Sequence, residues 1–288
     1  MTAPAGTPLS ERRRVRVALK KAREGLDMTQ KDVADALDWS TSKVIRMENG
    51  SVGISVTDLK ALLLHYGITN QAEVDRMVQS VRAGKQAAWW QRYRNESSQQ
   101  FITFLGLEAS AIRIRQFQGL LFPGLLQTAA YAGVLTKIGS ASEERSRRAV
   151  EIRLKRQELI SEEGPELFFI IDESVLHRRI GDAAVMREQL LRIKDAATHP
   201  KIVIRIMPFA AGVHKGMKSS FEIFELSEEP DDYALLLDQP YKDVLYPDPS
   251  EETKEFVNIF FELEGIALPA SETPRIIDAR LSQMKKES

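Results

Sequence analysis

The sequence predicts an α+β fold in two parts: a small domain of five helices over residues 8–84, then a larger domain over 101–282 in which helices flank a mixed sheet. Three observations predict it. In the first part, apolar residues recur every three or four positions, the period of a helix with one buried face. In the second, short apolar runs rich in branched and aromatic residues alternate with helical patterns, as strands interleaved with helices do. Finally, 288 residues are long for one compact domain and comfortable for two.

Charge divides the chain in the same way. The formal charge of −1 conceals a basic segment, with 14 Lys+Arg against 10 Asp+Glu in residues 1–85, joined to a remainder with 26 against 31. Of the two, only the first suits a polyanion, although a solvated helical face carries a similar excess. Cysteine is absent, which excludes disulfides and thiol catalysis and removes the usual soft metal ligands. His65, His177, His199 and His214 show no paired ligand spacing, so neither metal nor cofactor is expected. No apolar run approaches the roughly 18 residues that span a bilayer. Residues 1–10 lack the apolar core of a secretory signal. The expectation is a cytoplasmic protein with no membrane partner.

The first helix opens at Ser10 and ends near Gly25, with Val15, Ala18, Leu19, Ala22 and Leu26 as its apolar stripe. Arginines and lysines fill its other faces, open to phosphate or to solvent. Thr29 then precedes a short helix with Val33, Ala34 and Leu37 on its apolar side and Asp32 in a capping-box place. Asp38 and Trp39 form a break of two residues, where Asp tolerates a left-handed backbone less readily than Gly. Ser40 caps a second helix that buries Val44 and Met47, and Asn49-Gly50 stops it. Two short helices across such a break form a helix-turn-helix.

If Val44 and Met47 face inward, then Thr41, Ser42, Ile45 and Arg46 face outward, where the start of a recognition helix reaches base edges. Thr41 and Ser42 donate or accept, and Arg46 suits the paired acceptors of guanine. Gln30, Lys31 and Lys43 are the candidate phosphate contacts. Glu48, which repels phosphate, reads as a structural carboxylate. Helical patterns over 55–66 and 70–83 complete the domain.

The run from Met28 to Gly50 resembles the Xre/Cro-repressor family of helix-turn-helix domains, with its Thr-Gln start, its Val/Ala/Leu spacing and its Arg-x-Glu-x-Gly ending. The resemblance implies five helices and a homodimer that binds palindromic double-stranded DNA to repress or activate. It puts base contacts on Thr41, Ser42 and Arg46 and a phosphate contact on Gln30. Asp38 departs from the family, which commonly has Gly there.

The rest resembles the large domain that follows such helix-turn-helices in many actinobacterial regulators. The resemblance rests on Trp89 to Tyr93, Phe101 with Glu108, Phe122 to Thr128 with Tyr131, Arg153-x-x-Arg156-Gln157, Ile171 to Ser174 with Arg178, Gln189-Leu190 and Ser219 to Phe221. It implies an antitoxin-like protein that pairs with a small protein encoded alongside.

Taken alone, the second part shows an aromatic junction over 85–100 that suits packing better than base stacking. Helices are expected over 101–117, 123–138, 143–161, 183–198 and 251–264. Strands are expected over 166–172, 201–207, 221–226, 233–237 and 244–246, as a parallel crossover followed by an antiparallel meander. Asp172, Glu173 and His177 cluster where ligands often bind in such sheets. Neighbours on a strand point to opposite faces, however, and Arg178 and Arg179 offer structural partners. The loop from Gly212 to Gly216 lacks a phosphate-loop pattern and reads as a connection. No catalytic residue is assigned, and the chain is read as a non-enzyme. Three roles stay open for the second part: dimerisation, a small-protein surface and a ligand-gated sensor.

Overall fold

The computed structural model of the chain describes residues 8–50, 52–84, 88–139, 142–239 and 242–287. Residues 1–7 of the N-terminal segment and 85–87 of the expected junction lie outside them. The chain forms two compact units, Met1–Ser110 and Ala111–Ser288.

The first unit is helical: α1 Pro8–Glu24, α2 Gln30–Ala36, α3 Thr41–Glu48, α4 Val56–His65 and α5 Gln71–Ala83, followed by a 3-10 turn Trp89–Tyr93 and α6 Gln99–Glu108. Val15 and Leu19 of α1 meet Val33, Ala34, Val44, Met47, Leu59, Leu62, Leu63, Val78 and Val81 in one core. The four helices α2 to α5 open on the capping side chains of Thr29, Ser40, Ser55 and Asn70, each accepting a backbone N–H three residues on. Such caps contribute about 1 kcal/mol each. The α1 stripe is narrower than its period predicts, because Ala18 and Leu26 are exposed. Its basic side is partly internal, with Arg13 and Arg23 buried. In the aromatic run, Trp90 and Tyr93 are buried and Trp89 stands edge-on to both.

The second unit is built on a six-stranded sheet in the order β3-β2-β1-β4-β5-β6. Its strands are β1 Arg113–Gln118, β2 Glu166–Asp172, β3 Ile202–Met207, β4 Phe221–Glu225, β5 Tyr233–Leu237 and β6 Val244–Tyr246. The first three pair in parallel, and β4, β5 and β6 add on antiparallel. Parallel neighbours need long crossovers. Between β1 and β2 these are α7 Ala129–Gly139 and α8 Glu143–Arg156; between β2 and β3, α9 Glu173–His177 and α10 Ala183–Ala196. Helices α11 Glu251–Ile266 and α12 Thr273–Glu287 close the chain. The mixed sheet with flanking helices, the crossover and the meander are those that the sequence pattern predicts.

Two elements correct that pattern. The helix expected over 101–117 ends at Glu108, and its remainder is β1, the strand between β2 and β4. Arg113 and Arg115 disguise it, yet both are paired there: Arg113 with Glu166, Glu225 and Glu228, and Arg115 with Glu225. The helix expected from residue 123 begins only at Ala129, because Phe122 to Thr128 form a loop pinned by side-chain amides. Beyond these, α12 lies past every predicted element.

Candidate nucleic-acid interface

The geometry of α3 is set first by its own ends. Thr29 and Asp32 exchange hydrogen bonds in a full capping box at the start of α2, with Asp32 N to Thr29 Oγ1 at 3.1 Å and Thr29 N to Asp32 Oδ2 at 2.8 Å. Those bonds from Thr29 hold the Asp32 carboxyl below its usual range. Helix α2 closes with Trp39 N donating to Ala34 O at 2.8 Å and Asp38 N to Asp35 O at 3.4 Å. That pair is the Schellman pattern, whose C′ residue takes a left-handed backbone. Asp38 takes it, with φ of 56°. The turn therefore keeps its geometry despite the departure from Gly. Ser40 then receives Lys43 N at 3.2 Å and starts α3.

The far end of α3 is held by charge. Glu48 accepts from Arg23 Nε at 2.6 Å and Arg23 Nη2 at 2.9 Å, and from Gln30 Nε2 at 2.8 Å. Arg23 also donates to Met28 O at 2.6 Å. One carboxylate thus ties α1, α2 and α3 together, in line with its reading as structural. Its hydrogen bond, with burial opposing, raises the Arg23 pKa above the ordinary value. Tyr66 lies beside this pair, and burial followed by the Glu48 charge pushes its phenol up to about 12.

With both ends fixed, Val44 and Met47 are buried and the opposite face is open. Ser42, Ile45 and Arg46 are exposed, and Thr41 is half-buried. Arg46 Nε donates to Ser42 O at 3.2 Å, so its side chain runs back along the helix toward Ser42. Lys31 is exposed on α2. The other two candidate phosphate contacts are already engaged. Gln30 is bonded to Glu48, and Lys43 Nζ lies 2.6 Å from Asp58 Oδ1 and 3.6 Å from the Trp39 ring centroid. Burial raises the Asp58 pKa, but the bonds from Lys43 and Ser55 outweigh it and hold the carboxyl below its usual range. The cap at α4 was open to sequence reasoning, because Ser55-x-x-Asp58 repeats the Thr29-x-x-Asp32 pattern, but that pattern does not name Lys43 as the partner of Asp58.

In the second unit, Asp172 caps α9 through Ser174 N and lies 3.5 Å from the buried His214 Nε2. Glu173 accepts from Phe209 N at 2.8 Å. Both carboxylates thus serve the fold, though through backbone groups and His214 rather than through Arg178 or Arg179. Among the described residues, no group of three or more His, Asp or Glu stands ready to hold a metal. No helix among the described residues is long and apolar enough to cross a membrane.

Residues 14–77 match a helix-turn-helix domain, and residues 101–279 match a family described as Domain of unknown function (DUF5753). No curated protein and no solved structure matches the chain. The helix-turn-helix is a non-catalytic regulatory module, and the chain carries it ahead of a larger domain.

Proposed function

The chain belongs to the DUF5753 family, and we propose that it is a sequence-specific, DNA-binding transcriptional regulator of the Xre type that acts as a cytoplasmic homodimer. The observation that carries this reading is the open face of α3. Ser42, Ile45 and Arg46 stand exposed on a helix fixed at one end by Ser40 and at the other by Glu48.

Two α3 helices in a dimer would enter successive major grooves about 34 Å apart on one side of a duplex. Thr41 and Ser42 would read base edges, and Arg46 would pair with guanine. Lys31 and the N-terminus of α2 at Gln30 would hold phosphate, and Lys43 would join them on exchanging Asp58 for the backbone. Phosphate contacts make the affinity fall as salt rises.

Arg46→Ala is expected to weaken binding to a duplex selected from genomic fragments, with about 1–3 kcal/mol of discrimination lost at one base pair. Fluorescence anisotropy on the selected duplex and on single-base variants measures it. Equal affinity and equal discrimination in parent and variant would remove Arg46 from the interface.

A second reading, an antitoxin-like protein that binds a small neighbouring-gene product, has its own support. Leu120, Phe209, Val213 and Met217 are large, exposed apolar side chains that follow the carboxyl ends of β1 and β3. Exposed apolar surface of this kind commonly serves binding.

A further inference from the structure

Tyr131 of α7 is buried, and its hydroxyl oxygen accepts the Phe122 N–H at 3.5 Å, which leaves the O–H free to donate. Two guanidiniums stand close enough to act on it electrostatically: Arg153 from α8 and Arg178 just beyond α9. Arg156, one turn along α8 from Arg153, adds a third positive charge. It packs over the loop after β1, where a Cβ on Gly124 would meet its Nη1 at 3.3 Å.

The charges of Arg153 and Arg178 have no carboxylate partner among the described residues. Arg153 Nη1 is buried without a hydrogen bond. Burial and the like charge of Arg156 push its pKa down to about 10. Asp238, just past β5, feels the Arg156 charge, and burial together with Asp243 raises its pKa. A guanidinium withdrawn from water without a counter-charge is costly to keep. The fold retains one here, on the side of the sheet where open α/β folds bind ligands.

The surrounding loop is preorganised. Gln127 donates to Phe122 O at 2.7 Å, Gln157 to Gln127 O at 2.6 Å and Gln189 to Leu126 O at 2.9 Å. Two forked cations without a carboxylate partner among the described residues, the adjacent charge of Arg156 and a free hydroxyl donor match a doubly charged group with three acceptor oxygens better than a single carboxylate.

We propose that Arg153, Arg156, Arg178 and Tyr131, at the carboxyl ends of β1 and β2, form a binding site for a small phosphate-bearing molecule. The site is separate from α3 and does not depend on DNA binding. Its test is isothermal titration calorimetry on the full chain in chloride buffer, with pyrophosphate, inorganic phosphate and citrate at matched ionic strength.

One saturable site for pyrophosphate is expected, at least tenfold weaker in Arg153→Met and in Arg178→Ala. Arg178 is exposed, so its variant decides the matter if Arg153→Met does not fold. Absence of saturable heat, undiminished affinity in the variants, or citrate binding as tightly as pyrophosphate would overturn the proposal.

Discussion

Each unit of this protein holds an arginine withdrawn from solvent beside a tyrosine, and the two are treated in opposite ways. In the helical unit, Arg23 meets Glu48 through two nitrogens, with Tyr66 alongside, and its pKa rises. In the sheet unit, Arg153 lies near Tyr131 with a second arginine for company and no carboxylate partner among the described residues, and its pKa falls. A charge matched inside the chain braces helices. A charge left unmatched invites a partner from outside. The first kind of arginine supports a site made of other residues; the second is itself part of one.

The largest test of this contrast is a pair of substitutions. Glu48→Ala leaves the buried Arg23 with the exposed Glu24, 3.4 Å from its Nη2, in place of the enclosed two-nitrogen pair, and is expected to cost about 3 kcal/mol, with faster amide exchange in α2 and α3. Arg153→Met removes a charge that has no carboxylate partner among the described residues and is expected to leave stability in chloride buffer unchanged or raised. Denaturant unfolding of the full-length variants, with hydrogen exchange to localise the loss, measures both. A comparable loss in Arg153→Met would show that its charge is met within the chain, and the contrast would fail.

A smaller effect lies at high pH. The Tyr66 phenol is raised to about 12 in the folded state, against about 10 when unfolded. The folded protein therefore holds this proton more tightly. The stabilisation is complete below pH 10 and is lost as pH rises through about 12, a loss of about 2–3 kcal/mol. The difference in unfolding free energy between the parent and Tyr66→Phe, followed from pH 9 to 12, isolates it. A pH-independent difference would mean that Tyr66 titrates normally and that the Arg23–Glu48 pair is less enclosed than its geometry indicates.

What the sequence disclosed follows the range of the forces at work. The break at Asp38-Trp39, the caps at Thr29 and Ser40 and the inward face of α3 are decided within a few residues, and they were legible. So were β2 to β6, whose apolar runs mark them without reference to their neighbours. Strand β1 was not legible, because Arg113 and Arg115 are neutralised by Glu166, Glu225 and Glu228, all distant in sequence. Similarly, Glu48 read as structural from its sign alone, but nothing local named Arg23 as its partner. The Arg153 cluster draws on α7, α8 and the segment after α9, and only the β1–β2 and β2–β3 crossovers together assemble it.

The smallest effect separates local geometry from charge as the support of α3. Asp38 closes α2 with φ of 56°, and Asp27 and Asp231 take similar angles of 54° and 64°, while Gly50, Gly67, Gly181 and Gly212 stand at the other positive φ angles among the described residues. A left-handed backbone costs an L-residue roughly 1 kcal/mol or more, less for Asp than for most. Glycine removes that cost but gains freedom in the unfolded chain, which offsets part of the benefit. Asp38→Gly is therefore expected to stabilise the helical unit by about 0.5 kcal/mol, and to leave pyrophosphate binding unchanged. Thermal unfolding of the single variant and of Asp38→Gly combined with Glu48→Ala measures this and its additivity. If the gain survives in the double variant, the turn and the ion pair fix opposite ends of α3 independently. If it vanishes, the turn holds its shape only while Glu48 holds the helix.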